Sequence, residues 1–153
     1  MNEQQVELLF DKWCKKLRLT PNWDIKLEWV RDPAWSKTGD IKIYCDDKKA
    51  ILLLNALNPR QANLEETIVH ELMHLKLYPL DQVTESLITS QFEDGTPASN
   101  FAYTEFFTAL EQTVEELAKC FLLEFGENRA LSFGRCAEQP SFEELFNGLK
   151  NLE

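Results

Sequence analysis

Near the start of the chain, apolar residues recur with helical spacing: Val6, Leu8, Leu9, Phe10, Trp13, Leu17 and Leu19 stand among charged side chains. The pattern predicts an amphipathic helix over residues 3–18, closed by Thr20-Pro21-Asn22. The period then changes to two. Trp23, Ile25, Leu27 and Trp29 alternate with Asp24, Lys26 and Glu28, as in a strand with one buried face. Asp32-Pro33 and Thr38-Gly39-Asp40 mark residues 31–40 as a loop or broad turn. Ile41, Ile43 and Cys45 alternate with polar neighbours, and Ala50–Leu54 is a continuous apolar run. The short polar Asp46-Asp47-Lys48-Lys49 between them predicts a hairpin, and the three strands predict a small, mostly antiparallel sheet.

Helical spacing returns after Asn58-Pro59, a capping residue followed by proline, with Gln61 where a capping box wants Glu or Gln. This helix is expected from about Pro59 to Leu77, ended by Pro79, with Leu64, Ile68, Leu72, Met73 and Leu75 toward the core. Residues 79–100, rich in Pro, Gly, Asp and Ser, read as a long connection with a helical turn around Val83–Ile88, placed to rim a cleft. Phe101–Phe125 reads as a long helix stopped by Gly126. Residues 127–140 read as irregular, and Ser141 caps a short last helix, Phe142–Leu149. The expected class is therefore α+β: a three-stranded twisted sheet against an N-terminal helix, a second helix, a long third helix and a short C-terminal one. Residues 1–153 form one domain without internal repeats.

Charge narrows the partners. Sixteen basic and twenty-six acidic residues give a net charge of -10, which repels nucleic acid and anionic lipid headgroups. Cys14, Cys45, Cys120 and Cys136 are scattered, without the paired spacing of a structural zinc site, and are expected to be free thiols. The polar, acidic N-terminus lacks a signal-peptide pattern, and no apolar run approaches a membrane span. A cytoplasmic location, in a reducing compartment, is the expectation.

The chain's two histidines both fall in His70-Glu71-Leu72-Met73-His74. On a helix, side chains four apart lie on one face, so both imidazoles can grip one metal ion. Glu71 beside them can take a proton from a water that the metal activates. A catalytic zinc site needs three protein ligands and an open position, and no third histidine exists. The third ligand must be a carboxylate: Asp81, Glu85, Asp94, Glu105, Glu111, Glu115 and Glu116 are downstream. Glu111, in mid-helix at the margin of the apolar side, is the best placed. Glu115, one turn later, suits a supporting role, accepting the N–H of a ligating imidazole. The competing reading makes Glu111, Glu115 and Glu116 a solvated acidic face, with Glu115 pairing Lys119.

His70-Glu71-Leu72-Met73-His74-Leu75 followed by Glu111-Gln112-Thr113-Val114-Glu115-Glu116-Leu117-Ala118 resembles the gluzincin metallopeptidases, above all the short soluble minigluzincins. The resemblance implies one Zn²⁺ per chain held by His70, His74 and Glu111, with Glu71 as general base and Glu115 behind the ligands. It also implies a cleft whose edge strand pairs with an extended peptide substrate; the Ile41–Leu54 hairpin is the expected source of that edge. Larger gluzincins add a His or Tyr that stabilises the oxyanion. No further His is available here, and Tyr103, Tyr78 and Arg135 are the candidates, Tyr103 first among them. In minigluzincins the C-terminal segment can fold over the cleft and keep the enzyme latent. Residues 127–153, with Cys136 and Glu138 as blocking ligands, would be that tail. The expected function is zinc-dependent endopeptidase. The rival readings are a non-catalytic zinc-binding interaction protein and a peptidase dedicated to one regulatory protein, similar to repressor-cleaving metallopeptidases.

Overall fold

The computed structural model describes residues 2–128. Helix α1 spans Glu3–Lys16. Its start is fixed by a capping box in which Asn2 and Gln5 exchange side-chain-to-backbone hydrogen bonds. One face of α1 buries Val6, Leu9, Phe10, Trp13 and Cys14. Strands β1 (Asp24–Val30), β2 (Gly39–Tyr44) and β3 (Lys49–Asn55) follow. The remaining elements are two long helices, α2 (Leu64–Gln91) and α3 (Pro97–Phe125). The architecture is α+β, as the periodicities predict.

The sheet order is β1-β3-β2, with β1 parallel to β3 and β2 antiparallel to it. The sheet is thus mixed, with one pairing of each kind, rather than mostly antiparallel. The reason is the 31–38 loop, which carries the chain past the position of β3 to the far edge before the hairpin folds back. Asn55, 1% exposed, holds that loop. Its amide donates to the carbonyls of Trp35 (3.0 Å) and Lys37 (2.8 Å), while its oxygen accepts from the backbones of Leu57 and Asn58. With the backbone of Asn58 taken up in this way, α2 begins five residues later than Pro59, at Leu64, after Asn63.

Ala50, Leu52 and Leu54 of β3 meet Ile68, Val69, Leu72 and Leu75 of α2, the inner face of α1, and Val114, Ala118 and Leu122 of α3 in one core. Two boundaries depart from expectation here. α2 does not stop at Leu77; it continues through Pro79 to Gln91. Proline removes one backbone donor and strains the preceding turn, but the helical period persists through Tyr78, Asp81, Glu85 and the buried Ile88, and the α3 surface alongside rewards it. The long connection is therefore only residues 92–96, turned at Gly95 (φ 75°). α3 starts at Pro97, capped by the Thr96 hydroxyl, which accepts from Ser99 N. Its end after Phe125 agrees with the sequence. Gly126 is required there by proximity: a Cβ would lie 2.6 Å from the Leu122 carbonyl oxygen.

Glu65 is fully buried and joins three segments. Its Oε1 accepts from Trp13 Nε1 (2.9 Å), with Lys12 Nζ at 3.4 Å, and its Oε2 accepts from the backbones of Glu127 and Asn128. This clamp fixes the end of α3 against α1 and the start of α2. The rest of the anticipated tail, including Cys136, Glu138 and the helix Phe142–Leu149, lies outside the described residues, as does Arg135. No helix among the described residues is long and apolar enough to cross a membrane.

Candidate metal centre

The first half of α2 is held by the core, and this determines where its polar side chains point. Ile68, Leu72 and Leu75 face inward; His70, Glu71 and His74 consequently face the groove between β2 and α3. The imidazole rings lie 5.0 Å apart at 67°, with their Nε2 atoms 3.3 Å from each other. From α3, Glu111 reaches both: Oε2 is 3.4 Å from His70 Nε2 and Oε1 is 3.3 Å from His74 Nε2. The three residues each offer a ligand atom, all within 4.8 Å of one another.

Donors around a tetrahedral ion with bonds of about 2.0–2.1 Å are separated by about 3.3–3.4 Å. The His70, His74 and Glu111 spacings have this size, so the residues present fit a metal ion. Their chemistry fits as well. Glu115 Oε2 accepts from His70 Nδ1 at 3.1 Å, which places that proton on Nδ1 and leaves Nε2 as a lone pair toward the cluster. Two imidazole nitrogens and a carboxylate then converge, an arrangement that a cation stabilises.

The surrounding carboxylates and burial shift the titration of the cluster. The hydrogen bond from His70 is the largest influence on Glu115 and, with Lys119 Nζ at 2.9 Å, lowers its pKa to about 2 despite burial. Burial opposes the charged form of His70, but Glu115 and the nearby carboxylates of Glu71 and Glu111 outweigh it and raise its pKa. For His74 burial prevails, and the pKa is lowered. Glu71 is pushed up to about 7, by burial first and then, against the influence of His70, by Asp40 and Glu111. The expectation that Glu115 supports an imidazole and the rival expectation that it pairs Lys119 both describe real contacts, made through its two oxygens.

Two cavities flank the cluster. One of 370 Å³ is lined by Ser36, Thr38, Gly39, Arg60, Gln61 and Thr67, together with His70, Glu71 and Glu115. The other, of 440 Å³, lies between β2 (Gly39–Ile43) and the helices, with His74, Tyr78, Asp81, Phe107, Leu110 and Glu111. β2 is an edge strand, and its backbone comes so close to α2 that a Cβ on Gly39 would lie 2.5 Å from Thr67 Cγ2 and 3.3 Å from Glu71 Oε1.

Tyr103 lines neither cavity; it stacks on Phe107, with ring centroids 5.9 Å apart. Tyr78 does line the cleft. Burial, followed by Cys45, raises its pKa, keeping the phenol protonated and so a donor. Asp40, which influences both Glu71 and His74, and Asp81 on the cleft wall were not singled out by sequence reasoning beyond Asp81's place among the carboxylates. The signal for Asp81 was the continued helical spacing His74, Tyr78, Asp81, hidden by Pro79. Comparisons of the chain with known protein families, with curated proteins and with solved structures give no match.

Proposed function

We propose that this protein is a zinc-dependent endopeptidase of gluzincin type. The observation that carries the reading is the evenly spaced His70–His74–Glu111 triangle, with Glu71 beside it and the free edge of β2 along the same groove. Two imidazoles and a carboxylate with an open fourth position favour zinc, one ion per chain. Such an ion supplies Lewis acidity, lowering the pKa of a water and polarising a carbonyl. Glu115 fixes the His70 ring through Nδ1. Glu71 takes a proton from the attacking water and delivers it to the leaving amine. The unpaired edge of β2 offers backbone groups to an extended peptide, and Tyr78 offers a phenol for developing negative charge. The net charge of -10 makes nucleic acid and anionic membrane unsuitable partners. The free thiols Cys14, Cys45 and Cys120 suit the cytoplasm.

Metal content of the purified protein, with variants beside it, tests this reading. Wild type is expected to hold about one zinc per chain and Glu111→Ala to lose it. Glu115→Ala should retain the ion with about 10- to 100-fold weaker affinity. Glu71→Gln should keep zinc yet lose cleavage, and an active Glu71→Gln protein would remove the mechanism. A second reading, zinc-dependent recognition of one protein partner with or without its cleavage, draws on the exposed Leu80, Val83, Leu87 and Phe101 along the α2–α3 hairpin. Hydrolysis of an unstructured general substrate such as casein would count against it.

A further inference from the structure

Among the described residues, Asp81 is a cleft-wall carboxylate without a cationic counterpart. α2 carries it there because the helix continues past Pro79: from His74 the cleft-facing line runs through Tyr78 to Asp81, steps of four and three residues on one face. The facing wall is β2, with Ile41, Lys42 and Ile43. Both lysines that line this cavity, Lys37 and Lys42, are held by Asp40. Asp81 Oδ1, shielded from solvent, has no hydrogen-bond partner among the described residues. Burial and the neighbouring Glu85 raise the Asp81 pKa, the behaviour of a carboxylate that lacks a cation. A shielded oxygen left without a partner leaves the carboxylate short of a stabilising neighbour; a cation that meets the carboxylate from the cavity it lines supplies one.

The proposed peptidase reading, on which this inference rests, gives the direction of the substrate. Glu71 lies against Gly39, at the opposite end of β2 from Ile43. A base that protonates the leaving amine stands on that amine's side of the cleaved bond. The carboxyl-terminal part of the substrate therefore lies toward Gly39, and the amino-terminal part runs toward Ile43 and Asp81, antiparallel to β2. His74 and Asp81 are separated by about 10 Å of helical rise, which an extended chain spans in about three residues.

We propose that Asp81 is a specificity-determining residue that binds a cationic group of the substrate, a Lys or Arg side chain or a free α-amine, about two to three residues before the cleaved bond. The cavity leading to it, walled by Ile41, Ile43, Phe107 and Leu110, suits the aliphatic stem of a lysine with its ammonium at the far end.

The test separates binding from cleavage. Zinc-loaded full-length Glu71→Gln protein is titrated with peptides labelled at the carboxyl end, each carrying one lysine moved stepwise through an alanine–serine host. Each is matched by a norleucine peptide and by an N-acetylated version. Lysine should tighten binding about tenfold at one register, with the preference lost in Asp81→Asn and turned toward glutamate in Asp81→Lys. Melting curves check that these variants are folded. An effect of acetylation alone would assign the cation to the α-amine instead of a side chain. Equal binding of lysine and norleucine at every position, a preference unchanged in Asp81→Asn, or no binding of any peptide overturns the inference. An Asp81-dependent preference in a protein whose wild type cleaves nothing keeps Asp81 as the cation site and removes the peptidase reading, and with it the register counted from a cleaved bond. Cleavage of lysine and norleucine peptides alike does the reverse.

Discussion

The two halves of α2 differ sharply although they form one helix. From Leu64 to Leu75 it buries Glu65, Glu66, Thr67, Ile68, Val69, Leu72, Met73 and Leu75, and it touches the sheet, α1 and α3. Beyond Pro79 only Ile88 is buried, while Leu80, Val83 and Leu87 are 58–67% exposed. The first half is a platform: His70, Glu71 and His74 project from a segment that cannot shift without disturbing the core. The second half is a wall with few buried side chains, and Tyr78 and Asp81 extend the groove past the cluster. Rigid placement suits a triangle of donor atoms spaced at 3.3–3.4 Å, whereas a wall held by few buried side chains tolerates adjustment.

The largest expected contrast is between Leu72→Ala and Leu87→Ala. Loss of a fully buried leucine from the platform should lower unfolding free energy by about 3 kcal/mol, and loss of the exposed one by less than about 0.5 kcal/mol. Urea denaturation measures both, and similar values would erase the distinction between the halves. Glu65→Ala should follow, at about 2 kcal/mol, because it strips the acceptor from Trp13 Nε1–H and from the Glu127 and Asn128 backbones. Unchanged stability would mean that the clamp does not hold α3 to the platform.

Gly39→Ala sharpens the comparison from the side of β2. Its new methyl meets Thr67 Cγ2, and the overpacking should cost about 1–2 kcal/mol. The combined Gly39→Ala/Thr67→Ser variant should recover most of this, and a purely additive pair would show that contact to be unimportant. The smallest effect concerns reactivity, not stability. Burial, aided by Asp11, pushes the Cys14 thiol up to about 12, so below that pH it stays protonated and shielded. Exposed Cys45 and Cys120 should alkylate in the folded protein at pH 8, and Cys14 only after unfolding. Peptide mapping by mass spectrometry reads all three, and early labelling of Cys14 would show that α1 opens readily.

Much of the site was legible because it is local. His70 and His74 share a helical face whatever the rest of the chain does, and Glu71 lies beside them by the same geometry. The alternation in β1 and β2 and the apolar run of β3 likewise declare strands without reference to one another. The apolar stripe of α3 also brought Glu111 and Glu115 to its margin, where the structure finds them. Pro79 and the polar residues after it concealed the second half of α2, since propensity weighs a proline heavily and cannot see the α3 surface that compensates for it.

What the sequence determined by itself was therefore the set of elements held within a few turns of backbone, and the placement of Glu71 beside two imidazoles. Strand order, the exposed edge of β2, the approach of Glu111 to within 3.4 Å of His70, and the arrival of Asp81 on the cleft wall were decided by tertiary structure. Periodicity reports only which face of an element is apolar. The register between elements depends on side chains interlocking in a shared core and on polar groups such as Asn55 and Glu65 finding partners far along the chain. Glu65 meets Trp13 across 52 residues and Glu127 across 62.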